Sequence, residues 1–232
     1  MKIRTRLVVF GLSICALLGS GALWLSAATN SSPDYAQVES IERAATYRDA
    51  TLLALAEQLP VASAYLSHPF EYQDNPSFCG PTTAANLLRS TGRDATQKSV
   101  IVGTNVHTIF GLLPTGLTLD EEAALLRQAT GAQVSLLRDL DLATFRANLA
   151  SANDVATRFI VNFHRGPIFG RGHGHFSPIL GYLSDRDLVL VGDVNRDYGT
   201  YLVSSARLFE AIDTIDSATG KKRGLLRVDF QP

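Results

Sequence analysis

The sequence predicts an α+β fold, with helices filling the first half of the chain and an antiparallel sheet the second. Residues 33–150 read mainly as helical segments broken by proline and glycine, whereas residues 158–230 hold short β-branched and aromatic runs separated by turn residues. Hydrophobic residues make up 46% and charged residues 19% of the 232 positions, which suits a globular domain and not a disordered chain. The formal net charge of −1 leaves no electrostatic footprint for nucleic acid, and no repeat or low-complexity tract interrupts the chain.

Residues 1–28 stand apart. Lys2, Arg4 and Arg6 precede an uncharged, mostly apolar run that ends in Ser26, Ala27 and Ala28, small residues of the kind a signal peptidase reads. The run also approaches the length of a membrane-spanning helix, so a cleaved signal and a retained anchor are both open. In either case the basic end stays in the cytoplasm and the remainder crosses. The expected location is therefore periplasmic, or anchored at the inner membrane with the domain outside the cytoplasm. Cys15 follows the bulky Ile14, which argues against a lipoprotein. Residues 29–58 read as a linker and an N-terminal helical segment, and residues 59–232 as the main domain.

From Pro33-Asp34 a helical stretch is expected to run through Leu59, ended by Pro60. After a loop-rich approach comes a helix that follows Cys79-Gly80-Pro81 and stops at Gly92. Thr118 and Glu121 form a capping box for a helix reaching Thr130 before Gly131. Further expectations are a strand at 133–137, a helix at 141–150, strands at 158–163, 175–182, 188–194, 201–203 and 225–230, and a helix at 205–215.

Cys79 is one of two cysteines and the only one outside the N-terminal apolar run. It falls at a helix N-terminus, where the dipole favours thiolate, the nucleophilic form. A free cysteine also serves as a small buried hydrophobe, so the residue needs companions. Three histidines, His164, His173 and His175, are candidate bases. His164 and His173 read as loop residues in glycine-rich sequence, whereas His175 begins an apolar strand that would hold an imidazole rigidly. Asp193 ends the next strand, and a hairpin between the two would bring it to His175 to fix the tautomer. Gln73, before Cys79, could donate to an oxyanion beside the Cys79 backbone N–H.

Gln-x5-Cys-Gly before a helix, with a histidine and an acid on later strands, resembles the layout of papain-like cysteine peptidases. The segments Gly-His-Phe-Ser-Pro-Ile-x-Gly-Tyr and Asp193-Val-x-Arg196, with the tail from Ile212 through Arg223-Gly, resemble more narrowly phytochelatin synthase of the short, bacterial type. That resemblance implies a papain-like fold and attack by cysteine on the Cys–Gly bond of glutathione. A γ-glutamylcysteinyl thioester forms and passes to water or to a second glutathione. It implies Cys79 as nucleophile, His175 as base and acid, Asp193 as orienter, Gln73 as oxyanion donor, and Asp216, Arg223, Gly174 and Phe176 as substrate-binding positions. An aspartate for the γ-glutamyl amine and an arginine fork for its carboxylate suit that group. No cofactor is implied for the acyl step, and no metal ligands are assigned; cadmium or zinc enters as an activator or as a metal–glutathione thiolate substrate. Arg196 matches a family arginine without an assigned role, and the homodimeric state is left open. Two other readings stand beside this one: a papain-like peptidase acting on other peptides, and an inactive thiol- or metal-binding protein.

Overall fold

A computed structural model describes residues 33–230. The export signal read in residues 1–28 lies outside them, and among the described residues no helix is long and apolar enough to cross a membrane.

The stretch expected as one helix up to Leu59 is several shorter pieces. Short 3-10 turns at Pro33–Tyr35 and Ile41–Arg43 precede α1 (Ala50–Glu57), capped by the Asp49 side chain accepting from Leu52 N–H. Pro60 does not end a helix; it begins one, α2 (Pro60–Leu66). Leu59, pushed to extended ψ by the proline that follows, forms the joint, and the missing proline N–H costs nothing at a first helical position. Next come α3 (Cys79–Arg89) and α4 (Leu119–Thr130), the latter with both halves of the Thr118–Glu121 capping box formed and left-handed Gly131 closing it. The rest is β1 (Gln133–Leu137), α5 (Leu142–Leu149), β2 (Thr157–His164), α6 (Gly166–Phe169), β3 (Gly174–Leu183), β4 (Leu188–Gly192), β5 (Thr200–Ser204), α7 (Ser205–Ile212) and β6 (Gly224–Asp229). The α6 turn was not expected, and His164 ends β2 where a loop was read.

The strands form one sheet in the order β1-β6-β2-β3-β4-β5, every neighbouring pair antiparallel. Its strands are apolar on both faces because both faces are covered. Ile160, Leu180, Leu190, Leu226 and Val228 point to the side holding Leu87, Leu125 and Leu126 from α3 and α4. Phe159, Val161, Val189 and Tyr201 point to the other side, against Phe145 and Leu149 of α5 and Leu208 and Ile212 of α7. That explains continuous apolar runs in an antiparallel sheet, where alternation is the commoner signature. Helix α3 lies against β3, and Thr83 Oγ1 donates to the Phe176 carbonyl at 3.2 Å. This contact brings the start of α3 to the start of β3.

Candidate active site

The chain approaching Cys79 is pinned before it reaches the helix. Asn86 of α3 donates to the Glu71 carbonyl at 2.8 Å and accepts from its N–H at 2.9 Å; Gln97 accepts from Asp74 N–H at 2.9 Å. Gln73 N–H donates to the Val194 carbonyl at 2.9 Å, tying this approach to the end of β4. Cys79 then opens α3 with no side-chain cap, so the first backbone N–H groups remain available.

Across the cavity, β3 delivers His175 and β4 delivers Asp193, one residue past its end. His175 Nε2 lies 2.9 Å from Asp193 Oδ1, a contact that orients the ring. It occupies Nε2, which leaves Nδ1 as the nitrogen available to a thiol. Asp193 is fully buried and triply held: Arg165 Nη2 reaches its two oxygens at 2.7 and 2.8 Å, and Asn195 N–H donates at 2.8 Å. The Arg165 guanidinium lies 3.9 Å from the centre of the Tyr198 ring. No sequence argument singled out Arg165; an arginine at the end of an apolar strand was its only signal.

Electrostatics follow from burial. It raises Cys79 to about 11, against hydrogen bonds from the Phe176 and Gly80 backbone that favour thiolate. His175 is lowered by burial and by Arg165, more than Asp193 compensates. Burial alone would raise Asp193, but His175 and Arg165 hold it below the usual carboxylate range. The resting pair is therefore a neutral thiol and a neutral imidazole beside a fixed carboxylate.

Cys79 and His175 line a cavity of about 590 Å³ together with Asn162, His173, Asp216 and Arg223. Asp216 and Arg223 sit on the turn entering β6, their side chains 3.8 Å apart and only 15% and 7% exposed. They are a cavity wall and not a surface charge pair. Arg223 donates to the Ile215 carbonyl and Thr214 Oγ1, yet its Nε is buried without a partner. Gly174 leaves the room it occupies, since a Cβ there would stand 2.6 Å from Arg223 Nη2. The structure thus gathers Cys79, His175, Gly174, Phe176, Asp216 and Arg223 around one space, with Asp193 behind His175. Gln73 is not part of that wall; its Oε1 is buried and unpaired nearby in the chain.

Of the other histidines, His164 accepts from Gly166 N–H at 3.0 Å, packs on Tyr35 and is lowered to about 4 by burial and Arg223, whereas His173 lines the cavity. Arg196 lies over the Tyr72 ring, 4.6 Å from its centre. Among the described residues no cluster of three His, Cys, Asp or Glu side chains is disposed to hold a metal ion.

The fold is that of papain-like cysteine peptidases. A C39-like peptidase from Bacillus anthracis superposes with a TM-score of 0.50 at 11% identity, over 70% of this chain and 94% of that one. Within that class the chain belongs to the phytochelatin synthase family, whose model matches residues 43–225. Glutathione gamma-glutamylcysteinyltransferase 3 of Lotus japonicus is 32% identical over 171 residues, 68% of this chain and 35% of that protein. The corresponding protein of Schizosaccharomyces pombe is 25% identical over 194 residues, 78% of this chain and 47% of its own. The chain spans less than half the length of these relatives.

Proposed function

We propose that the chain is a glutathione γ-glutamylcysteinyltransferase that acts mainly as a hydrolase. The observation that carries this is the buried Asp216–Arg223 pair, with its unpartnered Arg223 Nε, in the same cavity as Cys79 and His175. A γ-glutamyl end offers one ammonium and one carboxylate, and this pair offers their complements. A general peptidase has no use for that arrangement.

In the proposed reaction His175 accepts the Cys79 thiol proton as sulfur attacks the carbonyl carbon of the Cys–Gly bond. Backbone N–H groups at the start of α3 face the developing oxyanion, with Gln73, a few residues earlier in the chain, as a further donor. The C–N bond breaks, the imidazolium returns its proton to the leaving glycine amine, and a thioester remains. Water then attacks, giving up a proton to His175, and γ-glutamylcysteine leaves as Cys79 regains it. A second glutathione amine in place of water yields the longer oligomer. Asp193, fixed by Arg165, keeps His175 oriented throughout. Cadmium and zinc enter through glutathione thiolates as substrate. The basic and apolar residues 1–28 support action outside the cytoplasm, as an exported or membrane-anchored protein.

The test is incubation of the full chain with glutathione, with and without cadmium, beside Cys79→Ser, with products read by mass spectrometry. Glycine and γ-glutamylcysteine should appear only with Cys79 intact, with longer oligomers the minor product. No glycine under any condition would refute the assignment.

A further inference from the structure

Beneath the Cys79–Gly80 turn lies a buried carboxyl that no step above uses. Glu122, in the first turn of α4, is fully buried, and neither of its oxygens has a hydrogen-bond partner. Its Oε2 is so close under Gly80 that a Cβ there would come within 2.4 Å, and Leu117 Cδ1, at 3.0 Å, also crowds that position. The other acids of this turn are engaged, Glu121 in the capping box and Asp120 with Arg138 and Lys221. On the elements packed against α4 the charges are also committed: Arg89 of α3 to Glu71, Arg227 of β6 to Asp229, and Arg223 before β6 to Asp216, while β1 carries none. From α3 it faces Cys79, whose thiolate a charge on Glu122 opposes.

An unpaired carboxylate in this place bears the full cost of desolvation, so the acid is kept protonated. Burial raises Glu122 to about 8. We propose that Glu122 is a positioning residue that sets an upper pH limit on the nucleophile: neutral, it fills the space beneath the Cys79–Gly80 turn; ionised, it puts a like charge under the thiolate and suppresses it. The α3 N-terminus then favours thiolate only while Glu122 holds its proton. The proposal rests on Cys79 as nucleophile, not on the identity of the substrate.

Alkylation of Cys79 in the full chain by iodoacetamide, followed by mass spectrometry across pH, tests it without glutathione. Glu122→Gln, a neutral near-isostere, should react about tenfold faster than wild type at about pH 9.5, the effect of removing roughly one pKa unit of like-charge opposition. At about pH 6.5 both side chains are uncharged and the rates should agree within about twofold. Equal rates at both pH values would overturn the proposal, and so would an equal gain at both, which marks a packing effect. Should Glu122→Gln fail to fold, the infrared carbonyl band of a protonated carboxyl in the wild type decides. Its persistence to about pH 8 supports the proposal, and its absence at about pH 6.5 overturns it. Because neither readout involves glutathione, a failure to cleave glutathione refutes only the function proposed above.

Discussion

Gly174 and Arg165 show how much of the site depends on residues that carry no chemistry of their own. An alanine at 174 would meet the Arg223 guanidinium at 2.6 Å, and the end of that side chain can move. Gly174→Ala should therefore fold normally but lower kcat/KM for glutathione by about tenfold or more through misplacement of Arg223, with Cys79 alkylation unchanged. Arg165→Met leaves Asp193 buried without its partner. It should cost roughly 3–5 kcal/mol, read from chemical denaturation. It should also raise His175, since Arg165 holds the imidazole down, and so move the acid limb of the pH–rate profile to higher pH. Cys79, His175 and Asp193 were legible in the sequence because each sits at a readable boundary: a helix start and two strand ends. Arg165 and Glu122 were not, since their meaning depends on contacts with Asp193 and Gly80, far along the chain.

At the level of single elements the capping signals were the most readable. Thr118 and Glu121 announce the start of α4, and Gly131 its end at φ 69°. Thr118→Ala should lower stability by about 1 kcal/mol, measured by urea unfolding, since it strips the cap from an α4 N–H. The strands were also found, because runs such as Leu188–Gly192 are apolar at every position. What the sequence did not reveal is that both faces are covered, a property of how α3 and α4 on one side and α5 and α7 on the other close over the sheet. Pro60 was misread for a physical reason: proline ends one helix and begins another equally well, and only the geometry at Leu59 distinguishes the two.

The whole molecule inherits a pH dependence from its buried groups. Glu122 is raised from 4.5 to about 8, so its contribution to stability is complete below 4.5 and is lost as pH rises to about 8. His164 and His175 are lowered, so theirs is complete above 6.5 and is lost as pH falls, for His164 towards about 4. Of these three groups, only Glu122 still alters stability above 6.5. The melting temperature should fall from about pH 6.5 to about pH 8 in the wild type, and Glu122→Gln should remove most of that fall in calorimetry.

The sheet order has a consequence for timing. The strand formed by Gly224–Asp229, the last of the described strands in chain order, does not sit at an edge; it lies between β1 and β2, hydrogen-bonded to both. Until those residues have left the ribosome, β1 has no neighbour in the sheet, and the Arg223 wall of the cavity is missing. The nascent chain can form helices and the β2–β3–β4–β5 meander, but it cannot close the core or present a finished site. The cavity is therefore unfinished until residue 229 has emerged, and a ribosome stalled before residue 224 would hold a sheet that lacks the strand joining β1 to β2.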